Sequence, residues 1–171
     1  FILKKLKAIK QDTIIPGGRY HNFKDFMGFP NIGSAQLRNR KLKPLPHPDY
    51  SAVVSKFEAI KRKDILLVYP YHSFDNVIDL LREASLDPQV KTIEVTLYRV
   101  GKNSAVINSL INAIKNGKKV IAVVELKARF DEESNIYWAN KLEEAGAQVI
   151  YGLPSLKIHS KLLLIHRKAV S

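Results

Sequence analysis

The chain has 171 residues, 46% of them hydrophobic, with a formal net charge of +12 and a sequence pI near 9.8. That is enough apolar material for a core and too much for a disordered chain; no apolar run approaches the ~20 residues of a membrane helix, and no signal-peptide pattern opens the chain. Cysteine is absent, which excludes disulfides, thiolate metal sites and a cysteine nucleophile, and fits a reducing compartment.

The positive charge is uneven. Residues 1–63 hold 14 Lys/Arg against 4 Asp/Glu, whereas residues 64–171 hold 14 against 12. Lys4, Lys5, Lys7 and Lys10, then Arg38, Arg40, Lys41 and Lys43, then Lys61, Arg62 and Lys63 form three basic clusters. A polyanionic partner or a solvated basic face would each have this signature. The chain starts at Phe1 rather than Met and stops at Ser171 just after a predicted strand, so it reads as a piece of a longer protein.

In chain order, Leu3, Leu6 and Ile9 suggest the tail of a helix. Residues 13–50 are punctuated by Pro16, Gly17, Gly18, Gly28, Pro30, Gly33, Pro44, Pro46 and Pro48, and read as loops and short elements of a separate domain. Within them, residues 18–26 read as a packed aromatic hairpin or a binding loop. Alternate prolines make residues 43–48 an extended linker, and residues 51–63 suggest a short basic helix. The expected division is a head-domain end and linker over 1–50 and a second domain over 51–171.

The second domain is more regular. Residues 65–69 read as a buried strand. Ser73 precedes a helical stripe of Phe74, Val77, Ile78, Leu81 and Ala84. Residues 92–98 alternate as a strand. Ser104 opens a helix with Ile107, Leu110, Ile111 and Ile114 on one side, and Gly117 stops it. Strand 120–124, helix 132–145 and strand 148–151 follow, with Gly146 as the helix stop. A fifth strand is expected from Leu156 to Ile165. Alternation of strand and helix predicts an α/β fold: a mixed, largely parallel sheet with helices on both faces.

In such sheets, sites lie beyond the carboxyl ends of the strands. Tyr71, His72 and Ser73 would follow the first strand, Arg99 the second, and Glu125, Lys127, Arg129 and Asp131 the third. The last strand, joined to its predecessor by a short loop, is expected to run antiparallel to it. Its start, with Lys157, His159 and Lys161 at alternate positions, would then reach the same edge. A neutral imidazole such as that of His159 can attack a phosphoryl group and carry it as a phosphoramidate, or act as a general base. Lys157 and Lys161 would neutralise phosphate oxygens, and Arg99 and Arg129 could grip phosphate in bidentate fashion. The competing readings are a basic, solvated strand end and arginines held in structural ion pairs with Glu125, Asp131, Glu132 or Glu133. His72 and His166 read as structural, whereas His21 and His47 lie in the irregular part and point to no role. No P-loop or Rossmann glycine pattern is present, and no helix carries a two-histidine metal pair; a divalent ion could arrive bound to phosphates.

His159-Ser160-Lys161 is the core of the phospholipase D type H-x-K motif, but the Asp usually found five residues after the Lys is here His166. Longer strings are more specific. Gly17-Gly18-Arg19-Tyr20-His21-Asn22-Phe23-Lys24-Asp25-Phe26, Tyr69-Pro70-Tyr71-His72-Ser73-Phe74, Thr96-Leu97-Tyr98-Arg99-Val100, Val124-Glu125-Leu126-Lys127-Ala128-Arg129-Phe130-Asp131-Glu132-Glu133 and Gly152 through Lys161 resemble, in that order, bacterial polyphosphate kinase of the first type.

The resemblance implies a phospholipase D-like domain, truncated, after the end of a head domain. It implies reversible transfer of the γ-phosphate of ATP to inorganic polyphosphate through a phosphohistidine at His159, with Lys161 stabilising phosphate. Lys157, Arg99 and Arg129 would bind phosphate or nucleotide. The two arginines match the family's Mg²⁺–phosphate site; having no lone pair to offer, they would act through phosphate. Mg²⁺ and ATP are the implied cofactor and substrate. The implied partners are ADP, polyphosphate, an N-terminal domain and a second C-terminal domain holding another essential histidine, and further copies in a homo-oligomer; no nucleic acid is expected. The implied location is the cytoplasm or the periphery of the inner membrane. Alternatives are a phospholipase D-like phosphodiesterase or nuclease and a non-catalytic polyanion-binding module. These 171 residues alone are expected to be inactive.

Overall fold

The computed structural model describes residues 23–30, 32–51, 55–101, 103–152 and 155–168. Two compact units result, Phe1–Leu42 and Lys43–Ser171. In the first, the described residues form 3₁₀ turns at Phe23–Gly28 and Ala35–Leu37. The expected N-terminal helix and most of the expected hairpin lie outside the described residues. Over 23–28 the backbone is a 3₁₀ helix, not a hairpin strand; its three-residue turn stacks Phe23 above Phe26, ring centroids 6.0 Å apart.

The second unit begins with the proline-rich segment, where Leu45 pairs in parallel with His72. Pro48 then opens a short helix, α1, at Pro48–Ser51. Helix α2 spans Lys56–Arg62; its cap Ser55 accepts from the Glu58 N–H, the spacing of a capping box. Helix α3 spans Asp75–Leu86, with Ser73 Oγ accepting from Asp75 N. Strand β1 (Val90–Leu97), helix α4 (Ala105–Lys115), strand β2 (Lys119–Val124), helix α5 (Glu132–Ala145) and strand β3 (Gln148–Tyr151) follow, and β4 (Leu163–Arg167) closes the sheet. Gly146 ends α5 with φ 102°, a left-handed turn that side chains resist.

The sheet order is β3-β2-β1-β4. β1, β2 and β3 are parallel and β4 is antiparallel to β1. Register aligns Ile93 with Val120 and Ile165, and Val95 with Ala122 and Leu163. These residues share one face. Together with Leu81 and Ala84 from α3, Ile107 and Leu110 from α4, and Ala139 and Leu142 from α5 they make the core. The expected mixed, largely parallel sheet flanked by helices is what forms, but the expectation of helices on both faces is corrected: among the described residues α2 to α5 lie over this one face, because their apolar residues all pack into the one core. The other face carries Thr92, Glu94, Thr96, Ile121, Val123 and Ile150, partly exposed. Among the described residues no helix is long and apolar enough to cross a membrane.

Two strand expectations need correction. Residues 65–69 are not a strand: Leu66 is 78% exposed, and both edges of β1 are already taken by β2 and β4. Tyr71, His72 and Ser73 therefore follow no sheet strand; His72 Nδ1 instead accepts the Val68 N–H at 2.9 Å. The fifth predicted strand starts late, at Leu163, so Lys157, His159 and Lys161 precede it. Beside one backbone bond, from Thr96 N–H to Leu162 O at 3.0 Å, side chains take backbone groups of that segment. Glu125 accepts the Ile158 N–H, and Thr96 Oγ1 donates to Ser160 O and accepts from Leu162 N. As expected, β4 runs antiparallel to its predecessor β3; it pairs with β1, two strands away.

Candidate active site

At the carboxyl end of β1 the chain turns outward through Tyr98, Arg99 and Val100. Arg99 Nη2 donates to the Arg129 carbonyl at 3.2 Å, and its Nε lies 2.9 Å from Asp131 Oδ2. The segments after β1 and β2 are thereby joined. Arg99 is more than half exposed, so this ion pair leaves guanidinium surface open to a ligand. Arg129 is exposed and has no ion-pair partner among the described residues.

The segment before β4 meets the same edge. The His159 ring stands edge-on to the Tyr98 ring, with centroids 4.9 Å apart at 73°. Lys161 Nζ lies 4.6 Å from the centre of that ring and donates to the His159 carbonyl; the Arg99 guanidinium lies 5.5 Å from the same centre. One aromatic ring thus gathers three basic side chains. Lys157 sits apart from them. With Lys127, Tyr151 and Glu125 it lines a neighbouring cleft of about 470 Å³. Sequence reasoning singled out the basic residues but not Tyr98. Its place directly before Arg99, one step beyond the alternation of β1, was the available signal.

Beneath this edge is a buried polar frame. Glu125, 5% exposed, accepts the Lys127 N–H on Oε1 at 2.8 Å and the Ile158 N–H on Oε2 at 2.9 Å. The Ile158 and Lys127 N–H groups hold its carboxyl below the ordinary carboxylate range, against the effect of burial; Lys157 and Lys127 add to the lowering. Asn135, fully buried in α5, donates Nδ2 to Tyr98 O at 2.7 Å and Glu125 O at 2.8 Å, and accepts the Val100 N–H at 3.2 Å. Sequence reading considered Glu125 only as an ion-pair partner for arginine, and did not single out Asn135.

The donor set suits a phosphate anion. Among the described residues no cluster of three His, Asp or Glu could hold a metal ion. Of the carboxylates at the edge, Glu125 is occupied by backbone N–H groups and Asp131 by Arg99. A Mg²⁺ ion here would take its ligands largely from phosphate and water, as this ion commonly does. His166, at the position of the usual phospholipase D aspartate, lies on β4 and bonds Glu94 Oε1 at 3.0 Å.

A mixed sheet with helices over its core face and a histidine-bearing basic edge defines a phospholipase D-like α/β unit. Comparison with known proteins narrows the class. A model of the polyphosphate kinase C-terminal domain 1 matches residues 55–171, and the chain belongs to that family. It is 55% identical to the polyphosphate kinase of Vibrio parahaemolyticus over 168 residues, 98% of this chain and 24% of the relative. The Escherichia coli K12 polyphosphate kinase is 55% identical over 167 residues, 96% of this chain and 24% of that protein. The crystal structure of the Porphyromonas gingivalis polyphosphate kinase superposes with a TM-score of 0.70 at 37% identity, covering 99% of this chain and 27% of that one. The chain thus spans about a quarter of the length of the curated relatives it matches.

Proposed function

We propose that the chain is part of a cytoplasmic, homo-oligomeric ATP:polyphosphate phosphotransferase, with residues 1–50 ending a head domain and 51–171 forming most of a first phospholipase D-like domain. In this reading a neutral His159 nitrogen attacks the γ-phosphorus of ATP. The N–P bond forms as the bond to the bridging oxygen breaks, and ADP leaves with that electron pair. A terminal oxygen of polyphosphate then attacks phosphorus, the N–P bond breaks and the chain is one phosphate longer; the reverse sequence makes ATP.

Arg99 and Arg129 grip phosphate oxygens, and Lys161, with Lys157 farther along the edge, offsets their charge. A Mg²⁺ ion carried on the nucleotide would neutralise further phosphate charge. The gathering of His159, Lys161 and Arg99 about Tyr98 carries this proposal, and family membership supports it. The engagement of His166 with Glu94 argues against phosphodiester cleavage through a phospholipase D aspartate.

Labelling from γ-radiolabelled ATP tests the proposal. In the full-length protein we expect acid-labile, base-stable label that disappears in His159→Ala; label persisting in that variant rules His159 out. Hydrolysis of a chromogenic phosphodiester by the full-length protein would favour the phosphodiesterase instead. The 171 residues alone are expected not to extend polyphosphate, because the reading places the second histidine and the adenine contacts outside them. ATP-dependent chain growth by this piece in a coupled assay would contradict that.

A further inference from the structure

Both peptide groups flanking Arg99 are held by a single buried side chain, since Asn135 takes Tyr98 O on one side and Val100 N on the other. Its remaining bond goes to the Glu125 carbonyl. The Glu125 carboxylate extends the frame in two directions. Through Lys127 N it holds the turn leading to Arg129, and through Ile158 N it holds the 157–158 peptide, one residue ahead of His159. Two side chains thus link the three segments that carry Arg99, Arg129 and His159.

A carboxylate is costly to bury, and Glu125 has no ion-pair partner among the described residues to offset this. Two backbone donors keep it charged. Only a carboxylate offers an acceptor oxygen to each; a glutamine would turn its NH₂ toward one of the two N–H groups. The segment it holds, residues 157–161, lies ahead of β4 and outside any strand.

We infer that Glu125 is a positioning residue for phosphoryl transfer: its carboxylate fixes the 157–158 peptide against the end of β2 and so aims His159 at phosphate held by the arginines. Asn135 sets the Arg99 side of the same frame. The inference rests on the reading of His159 as phosphoryl acceptor.

The test compares wild type, Glu125→Gln, Glu125→Asp and His159→Ala in the full-length protein, by single-turnover labelling from γ-radiolabelled ATP, nucleotide affinity and thermal unfolding. Misplacement of a reacting group by about 1 Å can cost on the order of 100-fold in rate. Labelling in Glu125→Gln is expected to slow by at least ~30-fold while nucleotide affinity stays within about threefold and unfolding stays cooperative. Glu125→Asp keeps the charge but reaches one N–H at most, and is expected to slow by at least ~10-fold. It decides the matter should Glu125→Gln not fold. Labelling within about threefold of wild type in a folded variant overturns the inference, as does a parallel loss of rate and affinity. Amide exchange at Ile158 in wild type as fast as at Ser160 overturns it too. Absence of label in wild type, or label surviving in His159→Ala, overturns instead the reading of His159 on which it stands.

Discussion

Tyr98 is the residue at which the basic edge is assembled. Its ring meets the His159 ring edge-on and lies within reach of the Lys161 and Arg99 cations, and among the described residues no hydrogen bond of its hydroxyl takes part. Each cation–π contact is worth roughly 0.5–1 kcal/mol when exposed, and an aromatic pair about 0.5–1.5 kcal/mol. Tyr98→Phe is therefore expected to retain activity within about twofold. Tyr98→Ala should lower kcat about tenfold, the equivalent of ~1.4 kcal/mol. Steady-state kinetics of the full-length enzyme separate the two; equal losses in both variants would assign the role to the hydroxyl. None of this could be read from spacing, because the ring's partners come from two segments some 60 residues apart in sequence.

At the scale of elements, α5 brings the candidate site together as well as covering the sheet. Its Asn135 pairs with three backbone groups, two of them in buried bonds and the third partly buried. Asn135→Leu keeps the size and removes all three bonds. At about 1–3 kcal/mol for each buried group left unsatisfied, a destabilisation of ~3 kcal/mol or more is expected in urea denaturation. A loss below ~1 kcal/mol would mean that water or relaxation replaces the bonds.

Helices α3 and α4 were legible in sequence because each packs one side onto the sheet and repeats its apolar residues accordingly, whereas α5 was legible from the alternation of elements and its Gly146 stop. The stretch 65–69 was not. An apolar run shows that a segment could be buried, but not whether a sheet edge will receive it, and the four-stranded sheet forms without residues 65–69. The late start of β4 was hidden for a related reason: Glu125 and Thr96, remote in sequence, take the backbone groups that a longer strand would have paired.

Over the whole molecule, the buried carboxyl of Glu125 and the partly buried one of Asp87 contribute to the response to acid. Ile158 and Lys127 N–H groups lower the Glu125 pKa, outweighing burial. At Asp87 burial raises the pKa but is outweighed by the Gln89 N–H and the Arg167 guanidinium, whose Nε lies 2.6 Å from Oδ2 and ties β4 to the end of α3. Each carboxyl binds its proton more weakly folded than unfolded. Its stabilisation is thus complete above the ordinary values of 3.8 and 4.5 and is lost as pH falls through the lower folded values. The urea midpoint should be flat near neutrality and decline below about pH 4.5, with a shallower decline in Glu125→Gln. An unchanged acid slope in that variant would contradict the lowered pKa.

Sequence alone determined the alternation of strands and helices, the stops at Gly117 and Gly146, the basic residues at stake and the family, because each is written in local periodicity, turn chemistry or contiguous strings. Tertiary structure decided the strand order, the fate of residues 65–69 and the frame of Asn135 and Glu125 beneath Tyr98. Those depend on which buried polar groups find partners across the fold. That is a matter of geometry between distant residues, and no local pattern contains it.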